Sequence, residues 1–176
     1  MTTVTSPSST GAAKSRESEL DAMKENFGVV PAIVTSLDDP KKQGRIKLKF
    51  PKLSSSLESA WAPVAAPLAG KQRGAFFMPE RGDEVLVAFE DGSFNSPYII
   101  GFLWNGVDMP PETDSQNRVI MTPGGHTLRF EDGNEKKIVL KSSSGQTITL
   151  DDTENSITLE GGGRILKMSN GVVQIS

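Results

Sequence analysis

No cysteine occurs in the 176 residues, and histidine occurs once, at His126. Without thiols the chain has no disulfide framework, no thiolate zinc site and no cysteine nucleophile, and one histidine leaves no His pair for a metal within one chain. Aromatic residues make up 6% and apolar residues 36% of the sequence. The apolar share is below the roughly 45–50% usual for globular chains, so part of the molecule is expected to be elongated or disordered. No run approaches the roughly 20 apolar residues of a membrane span, and MTTVTSPSSTGAAKSRESEL lacks the basic start and apolar stretch of a secretory signal. The expectation is a soluble chain, cytoplasmic on synthesis, without stable membrane insertion. Charge of one sign is missing too: 19 basic against 22 acidic residues leave a net −3, which weighs against a chain held mainly by nucleic-acid phosphates or an anionic membrane. At 18.9 kDa there is room for one small domain with appendages, not for a large multidomain enzyme.

Local pattern divides what is there. Residues 1–14 are Ser, Thr, Pro, Gly and Ala with little to bury, and read as a disordered tail. From Ser15 to Phe27 the spacing of Leu20, Met23 and Phe27 predicts a short helix with one narrow apolar stripe, stopped at Gly28. Residues 28–104 read as five strands. GVVPAIVTS alternates, Gly44 to Phe50 is a period-2 strand with Ile46, Leu48 and Phe50 inward, and Ala60 to Ala66 is an edge strand broken by Pro63. Glu84 to Glu90 and Pro97 to Trp104 form the clearest hairpin, around Asp91-Gly92. Five short strands and almost no helix suit a small closed barrel, and the OB fold is the expected solution.

Residues 105–118, with Pro110-Pro111, read as a linker. A repeat then begins: apolar residues two apart recur at Leu128/Phe130, Ile138/Leu140, Ile148/Leu150, Ile157/Leu159, Leu166/Met168 and Val173/Ile175, with polar turns between. The pairs start 10, 10, 9, 9 and 7 residues apart, room for one short strand and one turn each. Each strand has one apolar face and no helix to cover it, and a lone meander of this kind is unstable. Three copies wound about a common axis bury all those faces, so residues 119–176 are expected to form an intertwined trimeric β-helix whose core is these six apolar pairs. The alternative is a sheet packed on the barrel within one chain.

Specific strings carry a resemblance. GRIKLKFP at 44–51, AWAPVAAPLAG at 60–70 and MPERGDEVLVAFEDGSFNSPYIIGFLWNG at 78–106 resemble the OB domain of contractile-tail spike proteins. These are the phage baseplate assembly protein V and the valine-glycine repeat proteins (VgrG) of type VI secretion. TPGGHTLRFED at 122–132 and GQTITLDDTENSITLE at 145–160 look like the start and body of the family's triple-stranded β-helix. The resemblance implies an all-β envelope-piercing spike, a virion or injector component at a baseplate tip, attached through its OB domain to a separate trimeric hub protein. Only 27 residues precede the barrel, hence the separate hub. It also implies a PAAR-like tip protein seated on Val172, Val173 and Ile175, since the repeat runs to the last residue without an apex of its own.

Enzymatic readings are weak. Asp83/Glu84, Glu90/Asp91 and Asp151/Asp152 are adjacent pairs, and neighbours on a strand point to opposite faces, so they do not converge as catalytic carboxylates must. No catalytic residue and no cofactor are expected. The glycines at 124–125 and 161–163 precede strands and lack a phosphate loop's GK[ST] ending. A rival function is single-stranded nucleic-acid binding by the OB barrel, with Lys41, Lys42, Arg45, Lys47, Lys49 and Lys52 as track and Trp61, Phe76 and Phe77 as platforms. Alternation places Arg45, Lys47 and Lys49 on a solvated strand face instead. His126 shares the parity of Leu128 and Phe130, so three copies could converge on the trimer axis as a metal site, or each could act as a hydrogen-bonded cap.

Overall fold

The computed structural model describes residues 28–176, which divide into two units between Val107 and Asp108. The tail and short helix expected over residues 1–27 lie outside the described residues. The first unit holds β1 (Val30–Ser36), β2 (Lys47–Phe50), β3 (Ser54–Glu58), β4 (Ala69–Gly70), β5 (Arg73–Gly74), β6 (Glu84–Phe89) and β7 (Pro97–Leu103). Its five-stranded sheet runs in the order β3-β2-β1-β6-β7.

The sheet closes through residues 62–65. Ile46 and Ala62 exchange two backbone hydrogen bonds of 2.8 Å; on the other side the Ile99 N–H donates to the Pro63 carbonyl at 2.9 Å and the Ala65 N–H to the Ile99 carbonyl at 2.8 Å. Sequence alone points to a full strand over Ala60 to Ala66. The structure gives two isolated bridges instead, antiparallel Ile46 to Ala62 and parallel Val64 to Ile99, because Pro63 has no N–H to continue a ladder. The extra strand lies at β3. Alternation holds elsewhere: Ile46, Leu48, Phe50, Val85, Val87 and Ile99 are fully buried, and Phe50, Phe89 and Phe94 cluster in the core with ring centroids 5.2–5.7 Å apart, Phe89 stacked on Phe94 and Phe50 edge-on to Phe94.

The β1–β2 loop is organised by one carboxylate. Asp39 accepts from the backbone N–H of Lys41 (3.0 Å) and Gln43 (2.8 Å) and takes both Nε (3.0 Å) and Nη2 (2.6 Å) of Arg45. The Arg45 guanidinium, followed by those amides, holds the Asp39 carboxyl well below the usual carboxylate range. The same bonds hold Lys42 in left-handed backbone at φ 52°.

The second unit is a seven-stranded antiparallel meander: β8 (Asn117–Met121), β9 (Thr127–Asp132), β10 (Lys136–Lys141), β11 (Thr147–Asp151), β12 (Ser156–Gly161), β13 (Arg164–Ser169) and β14 (Val172–Ile175). β8 takes up Asn117 and Arg118, which the sequence alone assigns to the linker. Every strand pairs with its sequence neighbour, so the ladder is continuous within one chain. Its turns need left-handed positions, supplied by residues such as Asn155 and Asn170.

Candidate functional site

Register brings the repeat into two columns. Ile120, Leu128, Leu140, Ile148, Leu159, Leu166 and Ile175 oppose one another from strand to strand. Phe130, Ile138, Leu150, Ile157, Met168 and Val173 form the second column beside it. Because side chains alternate along a strand, both columns share one face. Ile120, which the sequence reading did not pair, extends the first column onto β8.

No other element of the second unit covers this face. Ile148 is 37% exposed and Leu140 50%, rising to 71% at Ile175. A contiguous apolar surface of this kind marks an interaction site. The face is bordered at the strand ends by polar groups: Arg118 with Asp132 at 3.0 Å on one side, and His126, Ser142 and Gln146 on the other.

The opposite face is mixed and carries further ion pairs. Arg129 meets Glu112 at 2.5 Å and Glu131 at 2.8 Å; Lys137 meets Asp151 at 3.3 Å; Lys167 meets Glu154 at 2.7 Å. Central positions between them are Val119, Val139, Thr149, Thr158 and Gln174. Charge on one face and branched apolar side chains on the other fix which face meets solvent and which seeks a partner.

Glu112 fastens the segment ahead of β8. Its Oε1 accepts from the N–H of Thr113 (2.8 Å) and Asp114 (2.9 Å), and its Oε2 accepts from Asn117 Nδ2 (3.1 Å) and pairs with Arg129. The amides of Asp114 and Thr113, then Asn117 and Arg129, pull its carboxyl from an ordinary 4.5 down to about 2. A carboxyl depressed in the folded state contributes stability that is fully present above pH 4.5 and is lost as pH falls toward 2. An NMR titration of the Glu112 carboxyl carbon should show its midpoint near pH 2 in the wild type. In Arg129→Gln the midpoint should rise, while a wild-type midpoint near 4.5 would contradict the fastening.

The remaining sequence candidates find mostly structural partners. His126 lies in the turn just ahead of β9, and its Nδ1 accepts from the Ser143 N–H at 3.2 Å, linking two successive turns. Among the described residues no cluster of His, Cys, Asp and Glu is arranged to hold a metal. Asp83 accepts from the Glu80 N–H at 2.8 Å, Glu84 from Asn105 Nδ2 at 3.2 Å and Asp151 from the Glu154 N–H at 2.9 Å, so these carboxylates shape turns and a strand end. In the basic series, Arg45 is spent on Asp39, while Lys47 donates to the Ser59 carbonyl at 2.8 Å and lies 5.6 Å from the Trp61 ring centroid. Two of the six cations and one of the three platform aromatics are thus tied to one another or to their own barrel. Phe76 and Phe77 do stand exposed, on a loop that sequence reasoning treated only as a possible stacking platform.

Two family models match this chain. Residues 30–104 match the type VI secretion system/phage-baseplate injector OB domain, and residues 117–176 match the phage baseplate V C-terminal trimerisation domain. The chain belongs to the phage baseplate V and VgrG spike family. Curated relatives include the type VI secretion system spike protein VgrG3 of Vibrio cholerae, 34% identical over 51% of this chain and 10% of that protein. The actin cross-linking toxin VgrG1 of Vibrio cholerae is 33% identical over 52% of this chain and 9% of its own length. The spike protein VgrG2a of Pseudomonas aeruginosa is 26% identical over 54% and 12%. The chain thus spans about a tenth of the length of these relatives. Membership in the family gives the uncovered face an explanation: the unit that carries it is a trimerisation domain, which supports a homotrimer of this chain.

Proposed function

We propose that this chain is the structural spike of a contractile tail or injector, with residues 119–176 as the shaft and the OB barrel of residues 28–104 as its attachment to a trimeric hub. The observation that carries this reading is the unbroken apolar face from Ile120 to Ile175, in register along seven strands. Three such faces turned inward make a dry, narrow prism whose continuous ladders resist extension. Force delivered along its axis is then concentrated on a small area of envelope. The role is mechanical, so it calls for no nucleophile, base or metal. His126, if it faces the axis in threes, acts as a cap holding Ser143 rather than as a ligand.

At the far end β14 is an edge strand: its ladder neighbour is β13, and Val172, Val173 and Ile175 are 54%, 61% and 71% exposed. An exposed apolar edge invites strand addition. A PAAR-like tip protein pairing with β14 would cover it. In the native particle imaged at side-chain resolution, density is expected beyond β14 and a hub ring against the barrel. A bare β14 would remove the tip partner, and a barrel free of any hub would remove the attachment role. Salt-dependent retention of single-stranded DNA by the purified chain would favour the nucleic-acid reading instead.

A further inference from the structure

The barrel carries two exposed apolar patches in surroundings of opposite charge, and no other described residue of the barrel covers either. The first is a cleft of about 550 Å³ between Gln43-Gly44 and residues 66–78. Its wall includes Leu68, Phe76 and Phe77, which are 55%, 80% and 59% exposed. The sequence from Ala60 to Pro79 contains no acidic residue, and Lys71 and Arg73 are its charged groups. The second patch is the outer side of β7, where Tyr98 (38% exposed) and Ile100 (45%) alternate with buried Pro97 and Ile99. The surrounding sequence is acidic: Glu80, Asp83, Glu84, Glu90 and Asp91 stand against Arg81 alone. Glu90 is held at this patch, accepting from the Tyr98 hydroxyl at 3.3 Å.

The patches adjoin. Pro63 and Val64 line the cleft, and Val64 is bridged to Ile99 on β7. That placement fits one occupant, a second copy of this chain. A cyclic trimer is built from heterologous contacts, in which one patch of each subunit meets a different, complementary patch of the next. In a ring of three, a subunit's two neighbours lie on adjacent sides of it, not on opposite ones. Tethering by a common trimerisation domain also raises the effective concentration of the barrels for one another far above that of a free partner.

We propose that the basic apolar cleft of one copy (Leu68, Arg73, Phe76, Phe77) receives the acidic apolar wall of the next (Glu90, Tyr98, Ile100), closing the three barrels into a ring. This inference rests on the homotrimer but not on the piercing role. Opposite charge at the rim sets the register of the contact, and the phenylalanines supply its dry centre.

The absence of cysteine makes the test clean. Full-length chain carrying both Phe76→Cys and Ile100→Cys, treated with a flexible bismaleimide, is expected to give a covalent trimer. Each single variant is expected to give no cross-linked product, because a heterologous contact never places a position against itself. Lys71→Cys with Asp91→Cys, at exposed turn positions, gives the same readout should the first pair disturb the barrel. Arg73→Glu should slow cross-linking by about fivefold at low salt, the effect of one rim charge pair. Adding Glu90→Arg should restore it. Light scattering on the same samples separates the two ways of failing. A chain that is not trimeric refutes the underlying assembly, whereas intact trimers that yield no covalent trimer from either pair refute the ring. Dimers from a single variant also overturn it.

Discussion

Ile148→Asp should abolish the trimer, while Thr149→Asp one residue along should leave it intact. Ile148 lies in the first apolar column, opposite Leu140 on β10 and Leu159 on β12. In the trimer three carboxylates would meet in a dry core without a cation in either apolar column to pair with them. Burying each unpaired charge costs on the order of several kcal/mol, and neutralising it by proton uptake still leaves unsatisfied oxygens. The loss is felt three times per assembly, which exceeds the margin by which most folds are stable, about 5–15 kcal/mol. Thr149 points to the other face, between Val139 and Thr158, where an added charge stays within reach of water. Its replacement should cost no more than about 1 kcal/mol. Light scattering checks both: trimer mass for the wild type and Thr149→Asp, and loss of trimer for Ile148→Asp. Equal damage from the two would show that the columns do not face the partners.

The pairing of those columns was legible in the sequence because the repeat states it again with each strand. Apolar residues two apart, separated by turns of nearly constant length, fix both the strand and the face, and the observed register joins those pairs directly. The barrel strands were legible for the same reason wherever alternation is clean, as at Ile46, Leu48 and Phe50. Legibility fails where geometry comes from the chain folding back on itself. β3 was missed because Ser54-Ser55-Ser56 has neither alternation nor β-branched side chains, and its strand conformation is imposed by pairing with β2. Asp39 reads as an ordinary turn residue until the loop brings the Lys41 and Gln43 amides and the Arg45 guanidinium onto its carboxylate. Glu112 sits among prolines and polar residues, and nothing local announces that Arg129, across β8, will find it. Phe76 and Phe77 enter the sequence reading only as platforms for nucleic acid, and the fold shows both to be exposed.

Phe50→Ala should unfold the barrel without dissolving the shaft. The Phe50 side chain is fully buried, with its ring centroid 5.7 Å from that of Phe89 and 5.2 Å from that of Phe94. Truncation removes the apolar surface, the aromatic contacts and the volume at once, leaving a cavity that the remaining rings only partly fill. A buried Phe→Ala change costs about 3–5 kcal/mol, much of the stability of a small domain. Phe76→Ala, at 80% exposure within its own chain, deletes the same atoms outside the barrel core, and should leave the barrel's own fold within about 0.5 kcal/mol while loosening the ring contact proposed above. The contrast tests burial and not residue type. Because the chain divides into two units at Val107, the barrel's core loss should appear in one step of a thermal scan. The shaft, whose core residues lie beyond Asp108, should keep its transition and its trimer mass. Phe50→Ala combined with Thr149→Asp should then show the sum of the two single effects, as expected for sites without shared partners. If Phe50→Ala instead lowers both transitions together, the barrel and the shaft fold as one cooperative body. A chain with an unfolded barrel and an intact second unit could then not be made by any single core substitution in the barrel.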